Sequence, residues 1–116
     1  MKYKFTTNPY GQNNIKDFYG VEYDSLNEAH KALFQIAWSG WTPAEIQMII
    51  DKSYALSGDQ KFKYQVVGSD LMIYVFSNEV FFCDLHSDNE EADFKCSFEE
   101  FITFMQDFKK FIEDNH

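Results

Sequence analysis

Residues 61 to 85 read KFKYQVV, GSD, LMIYVF, SNE and VFFCDL, three strand-like runs separated by two polar turns of three residues. A turn that short cannot carry a crossover, so successive runs must reverse and pair as antiparallel neighbours. The stretch therefore predicts a β-meander. Its first run places Phe62, Tyr64 and Val66 on one face and Lys61, Lys63 and Gln65 on the other, and lysines of that kind suit an exposed sheet edge. The middle run, 71–76, is apolar on both faces, which predicts a central strand covered on both sides.

Helical signals flank the meander. The segment SFEEFITFMQDFKKFIED opens with Ser97 and Glu100 in a capping-box pattern, and it aligns Phe98, Phe101, Ile102, Met105, Phe108 and Ile112 on one helical face. TPAEIQMII begins with Thr42 as N-cap, Pro43 at the first helical position and Glu45 reaching back to the cap, with Ile46, Ile49 and Ile50 as its stripe. SLNEAHKALFQIAWSG pairs Ser25 with Glu28 and spaces Leu26, Ala29, Leu33 and Ala37 helically, with Gly40 as a stop. A tight Ser39-Gly40-Trp41 corner then predicts a helical hairpin. Before it, KYKFTT at 2–7 reads as a short strand, NPYGQNN as a loop and DFYGVEY at 17–23 as a second possible strand, interrupted by Gly20. The fold class expected is α+β: a single domain over 1–116, an antiparallel β-meander packed against helices in the order β-(β)-α-α-β-β-β-α. No internal repeat, low-complexity tract or linker divides the chain, and 116 residues suffice for one core.

Charge narrows the function. The formal net charge is −9, and all 10 basic residues are lysines. Without arginine there is no bidentate grip on phosphate, and an acidic chain lacks the basic face that displaces counterions. Direct nucleic-acid binding is therefore not expected, whereas a positively charged partner is. No apolar run reaches the roughly 18 residues of a membrane span, and MKYKFTTNPYG has no apolar segment suited to a secretory signal. The expected setting is cytoplasmic, with both cysteines reduced and no membrane association.

The stretch CDLHSDNEEADFKC, 83–96, concentrates the candidate chemistry. Cys83, His86 and Cys96 offer three soft ligands, but not in the paired short spacings zinc prefers, and a strand through 80–86 would point Cys83 and His86 to opposite faces. DNEEAD lacks the glycine and the register of a calcium loop. Carboxylates around a cysteine favour the neutral thiol over the nucleophilic thiolate. No nucleophile elbow, metalloprotease motif or phosphate loop occurs, so neither an enzyme nor a cofactor or metal is expected. The carboxylates Asp84, Asp88, Glu90, Glu91 and Asp93 fit a solvated loop, and they equally fit an acidic docking surface for a basic protein.

Tyr10 and Tyr19, with Tyr23 nearby, are further contact candidates because tyrosine supplies contact area at low entropic cost. Packing over the sheet edge is their alternative role. Trp38 and Trp41 bracket the helix corner, either sealing the core or serving as a binding hot spot. His30 falls on the apolar side of its helix as a core or boundary residue, and His116 has no assigned role.

The segment SNEVFFCDLHSDNEEADFKCSFEEFITFM, residues 77–105, resembles the C-terminal part of bacterial toxin-immunity proteins, including the group that contains the yeast cell-wall regulator-like immunity domains. The chain is also similar in type to the immunity proteins of contact-dependent growth inhibition systems. That resemblance implies a protein that binds the toxin domain of a delivered effector, frequently a basic nuclease, and blocks its active site or substrate groove. A small adaptor module is the second reading. A ligand-binding or hydrolytic domain built on Asp84 and His86 is the third.

Overall fold

The computed structural model of the protein describes residues 2–9, 18–24, 26, 30–85 and 92–115. Its centre is a four-stranded antiparallel sheet of β3 (Lys61–Gln65), β4 (Leu71–Phe76), β5 (Glu79–Asp84) and β6 (Phe94–Ser97), adjacent in that order. The meander forms as expected. Its first turn closes through Val66 N–H to Leu71 O at 3.1 Å and uses Gly68 at φ 76°, a left-handed conformation that glycine adopts without steric cost. β6 was not expected: FKCS follows the acidic stretch directly, yet it pairs Cys96 with Val80 and Phe94 with Phe82, adding a fourth strand.

Register sorts the side chains. On the inner face Val66, Leu71, Ile73, Val75, Val80, Phe82 and Cys96 are buried. On the outer face Met72, Tyr74, Phe76, Phe81 and Cys83 are half-buried, and Lys61, Lys63, Gln65 and Lys95 are exposed. β4 is therefore central, but among the described residues the helices pack on one of its faces only, where its composition suggested cover on both, and aromatic rings shield one another on the other.

The helix α3 (Phe98–Asp114) carries the full capping box, Ser97 Oγ accepting from Glu100 N–H at 3.0 Å and Glu100 Oε1 accepting from Ser97 N–H at 3.1 Å. That bond to the Ser97 amide holds the Glu100 carboxyl below the usual carboxylate range. Phe101, Ile102, Phe104, Met105, Phe108 and Ile112 are buried, and Phe98 at the start of the stripe is half-buried.

The helix α2 (Pro43–Tyr54) starts at the expected cap, with Thr42 Oγ1 accepting from Glu45 N–H at 3.1 Å. The Glu45 carboxylate accepts instead from the Tyr64 hydroxyl, at 2.9 Å, and so ties α2 to β3. Ile46, Ile49 and Ile50 are buried. Ser53, also buried, donates its hydroxyl to Ile49 O at 2.7 Å, so no polar atom of that side chain is stranded.

The largest departure is where the first helix ends. Its described part, α1, is His30–Phe34. Ser25 and Glu28, the expected cap, and Ala29 lie outside the described residues, as does the side chain of His30. Leu26, assigned to the apolar stripe, is 94% exposed. Beyond Phe34 the chain tightens into bonds three residues apart, Ile36 N–H to Leu33 O and Ala37 N–H to Phe34 O. Trp38 then pairs its backbone with Tyr19 in an isolated bridge. A backbone group bonded to Tyr19 cannot also continue a helix, so the expected hairpin corner is a bridged loop. Trp41 seals it from below, 1% exposed, with its indole N–H donating to Ile36 O at 2.7 Å.

β1 (Phe5–Thr6) and β2 (Gly20–Val21) form a separate two-stranded ladder, each shorter than its sequence run suggested. Gly20 permits close approach there, because a Cβ would sit 3.2 Å from the Ala37 Cα. At Gly40 the constraint is harder, since a Cβ would run into the Trp38 indole. Gly40→Ala is expected to displace that ring and to cost about 1–3 kcal/mol, read as a lower urea midpoint at unchanged slope.

Candidate protein-docking site

The acidic stretch is anchored where the β5–β6 ladder ends. Beyond the Phe82–Phe94 pair, Asp93 donates its N–H to Phe82 O at 3.0 Å, and its carboxylate accepts the Asp84 N–H at 2.6 Å. Asp93 thus caps the strand with a charge-assisted bond that holds both ends of the stretch together. Asp84 is half-buried, and its carboxylate accepts from Gln35 Nε2 at 3.1 Å, on the inner side of the sheet. Its place in the strand alternation, not solvation, decides where it points.

The other candidates divide sharply. Asp88, Glu90, Glu91 and Tyr10 lie outside the described residues, as do His86 and His116. Tyr19 corrects the expectation of an exposed contact residue: it is 5% exposed and belongs to the core, because its backbone bridge to Trp38 draws the ring inward. Tyr23 is 60% exposed and packs edge-on against Phe34. Trp41 lies in the core, and Trp38 is half-buried against it with ring centroids 5.3 Å apart.

The cysteines face opposite ways, Cys83 on the outer face and Cys96 on the inner. Burial, reinforced by the Glu100 charge, pushes the Cys96 thiol up to about 12. Burial, then the Asp93 carboxylate, also raises Cys83. Neither supplies appreciable thiolate at neutral pH. Among the described residues no group of three or more His, Cys, Asp or Glu is placed to hold a metal ion. Shallow depressions border α3, one lined by Tyr3, Ser97, Glu99, Glu100 and Thr103. An acid catalyst needs a carboxyl raised toward neutrality, whereas Glu100 is shifted the other way.

One feature of the site was not anticipated. Across the outer sheet face the register aligns Lys63, Tyr74, Phe81 and Lys95 in one row, with Phe76 beside Lys61 in the next. Phe76 and Phe81 lie 5.1 Å apart, Lys95 Nζ stands 5.0 Å from the Phe81 centroid, and Lys61 and Lys63 flank Tyr74 at 5.8 and 5.9 Å. The alternation in KFKYQ and LMIYVF carries half of this signal. The other half needed β6, which brings Lys95 alongside.

No protein-family model matches the chain, and neither the curated proteins nor the solved structures yield a match. Among the described residues no helix is long and apolar enough to cross a membrane.

Proposed function

We propose that the protein is a cytoplasmic immunity protein that binds and neutralises a basic toxin domain, a nuclease, through an acidic surface running from Asp84 to Asp93. The observation that carries this reading is the concentration of carboxylates in one stretch of a chain of net charge −9, with its two ends fastened together at Asp84 and Asp93. A nuclease must present lysines and arginines to hold a phosphate backbone. An inhibitor offering carboxylates to those groups occupies surface the enzyme cannot discard, and complementary charge speeds their encounter. The protein acts here by stoichiometric binding, with no cofactor or chemistry of its own.

The test is co-purification of the full chain with the product of the adjacent gene, together with a nuclease assay of that product. Stable binding and loss of nuclease activity at equimolar inhibitor are expected. A product that neither binds nor loses activity would sink the reading.

A further inference from the structure

We propose that the outer face of the β3–β6 sheet is the second half of the docking surface, and that the partner meets it with an apolar patch bordered by carboxylates beside its basic groove. This rests on the immunity reading and adds the partner's mixed charge to it. Three observations lead there.

The first is charge sorting. In a chain of net charge −9, this face carries Lys61, Lys63 and Lys95 around an aromatic centre, with Glu79 as the exposed carboxylate of the Lys61–Phe76 row, and none of the three lysines forms an ion pair among the described residues. A uniformly basic partner would be repelled by them, whereas carboxylates at the rim of its contact patch would be matched. The second is composition. Met72, Tyr74, Phe76 and Phe81 are the residue types enriched at the desolvated centre of interfaces, and here they are only half-buried, with no element of the described chain packed over them.

The third is continuity. Extending the β5–β6 register by one step sets Asp93 opposite Cys83, so the row Gln65, Met72, Cys83 runs directly into the acidic stretch. Area decides between occupants. Four strands of this length offer roughly 350 Å². A stable interface needs about 800 Å² from each partner, so this face alone does not sustain a dimer of two copies. Asp93, on that row by register, brings a carboxylate to the Cys83 corner of the face, where the proposed acidic contact begins.

The sign of one effect tests this. The full-length variant carrying Lys61→Glu, Lys63→Glu and Lys95→Glu is compared with wild type for binding to the purified product of the adjacent gene, by surface plasmon resonance at low and physiological salt. All three side chains are exposed, and circular dichroism checks that the fold is kept. Weaker binding by roughly tenfold or more is expected although the chain becomes more acidic. Phe81→Ala should also weaken binding, mainly through faster dissociation.

If wild type binds and the triple variant binds as well or faster, the partner contacts only the acidic stretch, and the inference fails while the immunity reading stands. If wild type does not bind, the immunity reading fails and takes the inference with it. Self-association by sedimentation that Phe81→Ala abolishes would overturn the inference in favour of a second copy. Anisotropy with a fluorescein-labelled oligothymidine of about fifteen nucleotides, binding in a Phe81-dependent way, would overturn it in favour of a single-stranded nucleic acid.

Discussion

Phe108→Ala is expected to cost about 3–5 kcal/mol, a large part of the roughly 5–15 kcal/mol that holds a domain of this kind folded. Phe108 has no exposed surface and sits where three parts of the chain meet. Its ring stacks on Phe5 of β1 with centroids 5.0 Å apart, meets Trp41 at 5.4 Å and touches Phe104 of its own helix at 6.1 Å. Removing it opens a cavity that neighbours from three directions cannot close together, and the cavity adds to the lost transfer energy. Phe111, one turn on and half-buried, is the control: its alanine variant is expected to cost about 1–2 kcal/mol. Urea unfolding followed by circular dichroism measures both. Equal losses at the two positions would contradict the burial that separates them.

The second large effect is kinetic. Under the proposed function, reversing Asp88, Glu90 and Glu91 to lysine is expected to slow association with the proposed basic partner by about 10- to 1,000-fold and to flatten its dependence on salt, with little change in dissociation. Steering acts on the encounter, so the loss falls on the association rate. The structure dictates which carboxylates to leave alone. Asp93 holds the Asp84 amide and Asp84 holds Gln35, so changing either would mix a folding defect into a binding measurement. Association unchanged by the triple reversal would reduce the stretch to a solvated loop.

Where the sequence was legible, the determinants were local. The run LMIYVF became β4 at its own boundaries because short polar turns on either side leave no other place to reverse. Ser97 and Glu100 announced α3 because a capping box is made by residues three apart. The failures came from distant partners. SLNEAHKALFQIAWSG carries a sound helical pattern, but Tyr19 takes the Trp38 backbone, and nothing within the segment reveals that bond. Likewise FKCS is too short to declare itself a strand until β5 is beside it.

The candidate site divides the same way. Its carboxylates are visible in composition alone, while the inward turn of Asp84 depends on where β5 stops. Tyr19 looked like a contact residue because its neighbours are loop-forming. The aromatic and lysine rows of the outer face emerge only when four strands are set in register, and the composition of 71–76, apolar on both sides, cannot say that the helices of the described residues cover just one of them.

The strand order has a consequence for how the chain reaches this state. Because β3, β4, β5 and β6 are neighbours both in sequence and in space, each pairing closes a short loop, and the entropic cost of closure grows only slowly with the residues enclosed. Such local contacts favour rapid folding. The N-terminal ladder is different, since the Tyr3 hydroxyl meets the Asp107 carboxylate across a separation of 104 residues. The sheet and α3 can therefore assemble from nearby pieces, and the β1–β2 ladder closes over Phe108 as the step with the longest reach.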